Sequence, residues 1–175
     1  MTKDRIEDIK ENNGKKIVKE IIPYIVILIV VILIRTFLVT PVVVSGPSMK
    51  PTLEGGEVMI LNKNGSIDRF DVIVAQIEKD GQIEDIIKRV IALPGETISC
   101  EDGIVYVNDK KQEEDYSKGI THDFEKVELK DNEYFVMGDN REDSLDSRRI
   151  GPLNVEQIKG TTKLVVYPFS KVGNI

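Results

Sequence analysis

The stretch "TISCEDGIVYVN", Thr97–Asn108, decides how this chain is read. Apolar side chains alternate with polar ones on both sides of Glu101-Asp102-Gly103, and side chains two apart share a face only in an extended strand. The segment therefore predicts an antiparallel hairpin with a short loop ending on glycine. Working outward, runs of the same kind recur: "EVMILNK" (Glu57–Lys63), "DVIVAQI" (Asp71–Ile77), "EDIIKRVIAL" (Glu84–Leu93), "EYFVMG" and "TKLVVYP". Gly55-Gly56, Asn64-Gly65, Asp80-Gly81 and Pro94-Gly95 mark turns between them. After residue 39 no sustained 3.6-residue period appears. The expected fold is all-β, a domain of packed antiparallel sheets over residues 40–175. Residues 108–132, "NDKKQEEDYSKGITHDFEKVELKDN", hold too few apolar positions to build core and read as a charged surface excursion or a short exposed subdomain.

Composition narrows the chemistry. At 175 residues the chain has room for one such domain plus an anchor, and 41% hydrophobic residues suffice for a core. A net charge of -6 argues against a nucleic-acid partner, which selects a basic surface. One cysteine, Cys100, and one histidine, His122, make no intramolecular disulfide and no Cys/His zinc cage, so neither a metal nor a cofactor is expected. A serine hydrolase built on histidine also has little to work with, because His122 sits in a polar stretch without a recognisable signature.

Ahead of the domain, "IIPYIVILIVVILI" begins at Ile21 and "TFLV" follows Arg35, so residues 21–39 approach the length of about 20 that a membrane-spanning helix needs. Pro23 falls near the start, where a helix tolerates it, and Arg35 near the far end, where its stem reaches the headgroups. A cleavable signal would end in small residues, yet the first alanine is Ala75, which favours a retained single-pass anchor. Lys15, Lys16 and Lys19 place residues 1–20 in the cytosol as a short tail and the β domain outside, by the excess of cations on the inner face.

Three stretches carry candidate chemistry. "SGPSMKPTL", Ser45–Leu53, sets Ser48 between Pro47 and Pro51. Without histidine, a serine needs another base, and a lysine serves only if burial lowers its pKa from about 10.4 toward neutrality. Lys88 in "IIKRVIAL" is the lysine with apolar neighbours on both sides; alone, it reads equally well as an edge residue that discourages aggregation. Arg89, on the opposite face of the same strand, is placed to pair with an acid. The third stretch, "MGDNREDSLDSRRIGPL", Met137–Leu153, crowds Asp139, Asn140, Ser144, Asp146 and Arg148 into one loop, either as a polar turn network or as the frame that holds a neutral amine.

"SGPSMKPTL", "KRVIALPGE" and "GDNREDSLDSR", in this order behind an N-terminal span, closely resemble the type I signal peptidases of bacteria, and the single span resembles the smaller Gram-positive members. The resemblance implies Ser48 as nucleophile, Lys88 as general base, Ser144 as the hydroxyl that orients the lysine amine, Asp146 and Arg148 as a structural pair, Asp139 and Asn140 as loop supports, and Met49 as a residue shaping the site. It implies a substrate groove near the membrane, with secretory precursor proteins cut after small residues and the lipid bilayer as partners. Some members carry a serine two residues before the nucleophile that donates to the oxyanion; this chain has Gly46 there. Two rivals remain at this point: a self-cleaving Ser/Lys peptidase, and a membrane-anchored β domain that binds secreted proteins without cutting them.

Overall fold

The computed structural model describes residues 19–32 and 39–175. The chain divides into two units, Met1–Val39 and Thr40–Ile175. In the first, residues 19–32 form helix α1, whose large apolar side chains from Ile21 to Ile32 are all exposed. Among the described residues no helix is long and apolar enough to cross a membrane. The expected span 21–39 includes residues 33–38, which lie outside the described residues, as does most of the expected cytosolic tail.

The second unit is built of strands, as the alternation predicts. They are β1 (Val39–Val43), β2 (Val58–Asn62), β3 (Val72–Lys79), β4 (Gln82–Ala92), β5 (Thr97–Glu101), β6 (Ile104–Val107), β7 (Lys110–Lys111), β8 (Phe124–Glu128), β9 (Glu133–Met137), β10 (Leu153–Asn154), β11 (Ile158–Tyr167) and β12 (Gly173–Asn174), with a one-turn helix α2 at Ser147–Ile150. The larger sheet has the order β1-β2-β11-β3-β4-β9-β10, with β12 also on β11; the smaller has the order β7-β6-β5-β8. The hairpin at Thr97–Asn108 is β5-β6, running from Ile98 opposite Val107 to Glu101 opposite Ile104. Its turn is Asp102-Gly103, with φ of 52° and 76°. Both values are positive, as the commonest two-residue hairpin turn requires, and this is why an Asp-Gly pair closes it.

The longest hairpin, β3-β4, is paired continuously from Val72 opposite Arg89 to Lys79 opposite Gln82. Along β3 the period of two is visible in the packing. Val72 and Val74 join one apolar cluster with Met49, Leu53 and Met59, while Ile73, Ala75 and Ile77 join another with Val90 and Val136 on the opposite face. The sheet is thus buried on both faces in its middle. A third cluster, around Ile91, Ile98, Val105 and Phe135, joins the small sheet to the ends of β4 and β9.

The charged stretch 108–132 differs from the expected surface excursion. It supplies β7 and β8, and Leu129 is buried in the third cluster with Tyr116, Phe124 and Val127 packed against it. Apolar residues at a few well-spaced positions are enough here because the rest of the core comes from β4, β5, β6 and β9. Cys100 is a packed residue of the same cluster, and burial pushes its thiol up to about 11.

Candidate active site

Ser48 lies in the turn that follows β1, and two other segments, β4 and the loop after β9, converge on it. Its carbonyl accepts from the Asn140 backbone N–H at 3.0 Å, and the Asn140 side-chain amide reaches the Pro47 carbonyl at 3.3 Å. The turn is tightened by Lys50 N–H to Pro47 O and by Leu53 N–H to Met49 O. Met49 points the other way, into the first apolar cluster, with 1% of its surface exposed. One residue of this turn therefore anchors it while its neighbour stays accessible.

Lys88 sits in β4 opposite Ile73, where the sheet is covered on both faces, and only 4% of it is exposed. Its Nζ donates to Ser48 Oγ at 2.8 Å and to the Ile87 carbonyl at 2.9 Å. Among the described residues no carboxylate is hydrogen-bonded to this amine. Burial brings its pKa down to about 8; Asp146 and Asp139 pull it upward, and Arg148 pushes it further down. A buried amine facing a serine hydroxyl, half neutral near pH 8, is chemically a base poised beside a nucleophile.

The loop after β9 frames this pair. Asp146, fully buried, caps α2 and accepts from Arg148 Nε, Arg148 Nη2 and the Gly138 N–H at 2.9, 2.8 and 2.9 Å. Burial works to raise its carboxyl pKa, but the Arg148 guanidinium, the nearby Ser144 hydroxyl and the Gly138 amide outweigh it and hold the carboxyl below its ordinary value. Asp139, also fully buried, takes both arms of Arg89, at 2.9 Å to Nε and 2.7 Å to Nη2, and accepts from the Thr52 hydroxyl. Arg89 thus pairs with an acid on the face opposite Lys88, as its parity in the strand predicts. Ser144 is buried and near Asp146, yet its hydroxyl meets no partner in hydrogen-bonding geometry among the described residues.

All nine residues singled out in the sequence therefore gather in one neighbourhood, with Met49 beneath it rather than facing it. Several others were not picked out. Gly138 is irreplaceable by sterics: a β-carbon there would stand 2.5 Å from the Ser48 carbonyl oxygen and closer still to Ser144 Oγ. Arg141 donates to the Gly138 carbonyl and to both oxygens of Glu114. Tyr116 stacks on Arg89 with 4.3 Å from guanidinium carbon to ring centroid. A lone aromatic inside a run of charges was the available signal for Tyr116. Gly46 has φ of 80°, a left-handed conformation, so a side chain at that position would be strained although it would meet open space.

A cavity of about 970 Å³ opens beside Ser48 and Lys88, lined among others by Thr40, Val42, Ile86, Ile87 and Leu145. Among the described residues two unpaired strand edges flank it. β1 ends the sheet, and β4 pairs with β9 only from Arg89 to Ala92, which leaves Gln82–Lys88 bonded to β3 alone. The slot is shaped to receive an extended segment.

The family described as signal peptidase, peptidase S26, matches residues 15–167. The chain is 39% identical over 183 aligned residues to "Signal peptidase I S" of Bacillus subtilis (strain 168), covering 93% of this chain and 96% of the relative. It is 36% identical to "Signal peptidase I" of Bacillus licheniformis, with 93% and 96% covered, and 38% identical to "Signal peptidase I" of Bacillus caldolyticus, with 93% and 95% covered.

Proposed function

The chain belongs to the signal peptidase family, peptidase S26, and from that premise we propose that it is a serine endopeptidase that removes signal peptides from secretory precursors, with Ser48 as nucleophile and Lys88 as general base. The observation that carries the assignment of roles is the 2.8 Å contact between a buried amine and a serine hydroxyl. In the neutral amine the lone pair takes the place of the donated N–H. Ser48 Oγ adds to the scissile carbonyl carbon as its proton passes to Lys88 Nζ, and the tetrahedral intermediate collapses by expelling the new N-terminal amine, which takes up that proton. The acyl-enzyme is then hydrolysed by a water that Lys88 deprotonates, which returns Ser48 to its starting state. Among the described residues the Ser48 N–H has no hydrogen-bond partner, so it is free to donate to the oxyanion. The Ser144 hydroxyl, buried and without a partner among the described residues, makes no bond to the Lys88 amine here, and its role in orienting that amine is carried by the family resemblance.

The precursor lies extended in the slot between β1 and the free part of β4, completing the sheet with main-chain hydrogen bonds while alternate side chains face the cavity walls. Half-buried Ile86 and Leu145 are among the apolar residues lining those walls, and the family's preference is for small residues at the cut. Residues 21–39 anchor the chain in the bilayer with the tail cytosolic and the β domain outside. Nine residues from Val39 to Ser48, at about 3.3 Å each, keep the nucleophile within about 30 Å of the membrane surface.

Detergent-solubilised protein incubated with a model secretory precursor tests the assignment. Ser48→Ala and Lys88→Ala should each abolish cleavage while leaving the far-ultraviolet circular dichroism unchanged. Full activity in the Lys88→Ala protein would overturn the dyad, and no cleavage by the wild type would favour a binding domain instead.

A further inference from the structure

The residues that support Ser48 and Lys88 rest on a segment with no part in the chemistry just described. Arg89, next to the base, and Arg141, whose Nε holds the Gly138 carbonyl at 3.1 Å, face the same aromatic ring from different elements. The ring is Tyr116, with the Arg89 guanidinium carbon 4.3 Å and the Arg141 guanidinium carbon 6.0 Å from its centroid. The Tyr116 hydroxyl donates to Glu114 Oε1 at 3.1 Å, and Glu114 in turn receives two bonds of 2.8 Å from Arg141, which is itself buried. Phe70 closes another side, with its ring 5.7 Å from Tyr116 and its carbonyl 2.8 Å from Arg89 Nη1. Phe70 holds a φ of 70°, a conformation a bulky residue adopts only where its surroundings impose it.

The backbone of the same segment is stitched to the loop. Lys118 N–H donates to the Asp139 carbonyl at 2.7 Å and Arg141 N–H returns to the Lys118 carbonyl at 2.9 Å. Between those two positions lies Asn140, whose N–H holds the Ser48 carbonyl. Tyr116 therefore stands where two chains of contact meet, one reaching the base through Arg89 and the other reaching the nucleophile through Arg141 and the loop. It does not line the substrate cavity.

We propose that Tyr116 is a positioning residue for the reaction: by filling the space between Arg89 and Arg141 it fixes the loop that carries Gly138–Arg141 against β4, and so fixes Ser48 relative to Lys88. The proposal rests on the Ser48/Lys88 assignment. Its signature separates it from a merely structural aromatic. Misplacement of a reacting pair by a fraction of an ångström lowers kcat, while an untouched groove leaves KM as it was. A loosened loop also admits water to Lys88, whose charged surroundings are Asp139, Asp146 and Arg148.

The test is the purified full-length protein in detergent, assayed on the model precursor across pH, as wild type, Tyr116→Leu, Tyr116→Phe, Glu114→Gln and Ser48→Ala. Tyr116→Leu should lower kcat by about 10- to 100-fold with KM within about twofold, and should move the acid limb of the rate profile to higher pH. Tyr116→Phe keeps the ring between the guanidinium groups and should restore most of the rate. Folded Tyr116→Leu protein with unchanged kcat and an unchanged limb overturns the proposal, even if its Tm is lower. Should Tyr116→Leu fail to fold, Glu114→Gln decides: a fall in kcat with a shifted limb supports the brace, and a wild-type profile overturns it. Cleavage by Ser48→Ala would instead overturn the assignment on which the proposal stands.

Discussion

A lysine in the middle of a covered sheet is held away from the water that would keep it charged. Only 4% of Lys88 is exposed, and burial outweighs two nearby carboxylates to bring its pKa to about 8. The direction sets the sign of the pH dependence. The protonated amine has no lone pair to offer, so activity is lost as pH falls through about 8, by about tenfold for each unit below it, and levels off above. A profile of kcat/KM on the model precursor checks this, and one that stays flat down to about pH 5 contradicts a lysine base. Asp139 and Asp146 limit how far the pKa can fall, and each is itself paired with a guanidinium, Arg89 and Arg148. Breaking one such buried pair from one side costs about 3–5 kcal/mol because the remaining charge is left without a partner. Gly46 belongs to the same scale: its positive φ explains why this chain does without a side chain two positions before Ser48.

At the scale of elements, β4 does two jobs with one strand. From Gln82 to Arg89 it is paired with β3 and from Arg89 to Ala92 with β9, so the two ladders overlap only at Arg89 and the edge of Gln82–Lys88 away from β3 is left open among the described residues. The change falls beside Lys88, whose side chain is among those lining the slot. Widening or filling the slot should act on binding: Ile86→Trp, on the cavity wall, should raise KM by about tenfold, equal to about 1.4 kcal/mol, with kcat changed less, as steady-state kinetics on a peptide substrate would show. Much of this element was legible in the sequence, because period two puts Lys88 and Arg89 on opposite faces and flanks both with apolar residues. The turns were legible as well, since Asp-Gly pairs announce the positive φ that they adopt at Asp80-Gly81 and Asp102-Gly103. The framing of the loop was not. Glu114 and Arg141 are 27 positions apart, and in a stretch where about half of the residues are charged nothing local says which charge is buried. Tyr116 escaped for the same reason: its partners Arg89 and Arg141 come from other parts of the chain.

The whole β unit carries its own cores, three apolar clusters contained within residues 40–175. A chain beginning at Thr40 should therefore unfold within a few degrees of the full-length Tm and still cut a soluble peptide. The same protein should lose most of its rate on a precursor inserted in vesicles, which parallel assays would reveal; equal rates on both substrates would count against the anchor. The resting molecule also faces a hazard that its slot creates. Two open strand edges beside an apolar hollow are a template for any extended chain, including a sister molecule or a half-folded passenger. Lys159 pairs with Asp85 and Lys79 with Glu84 along the rim. These charges act as a toll on entry, since a stray strand must strip their water to settle, whereas a segment delivered at high local concentration is held there long enough to be cut and released.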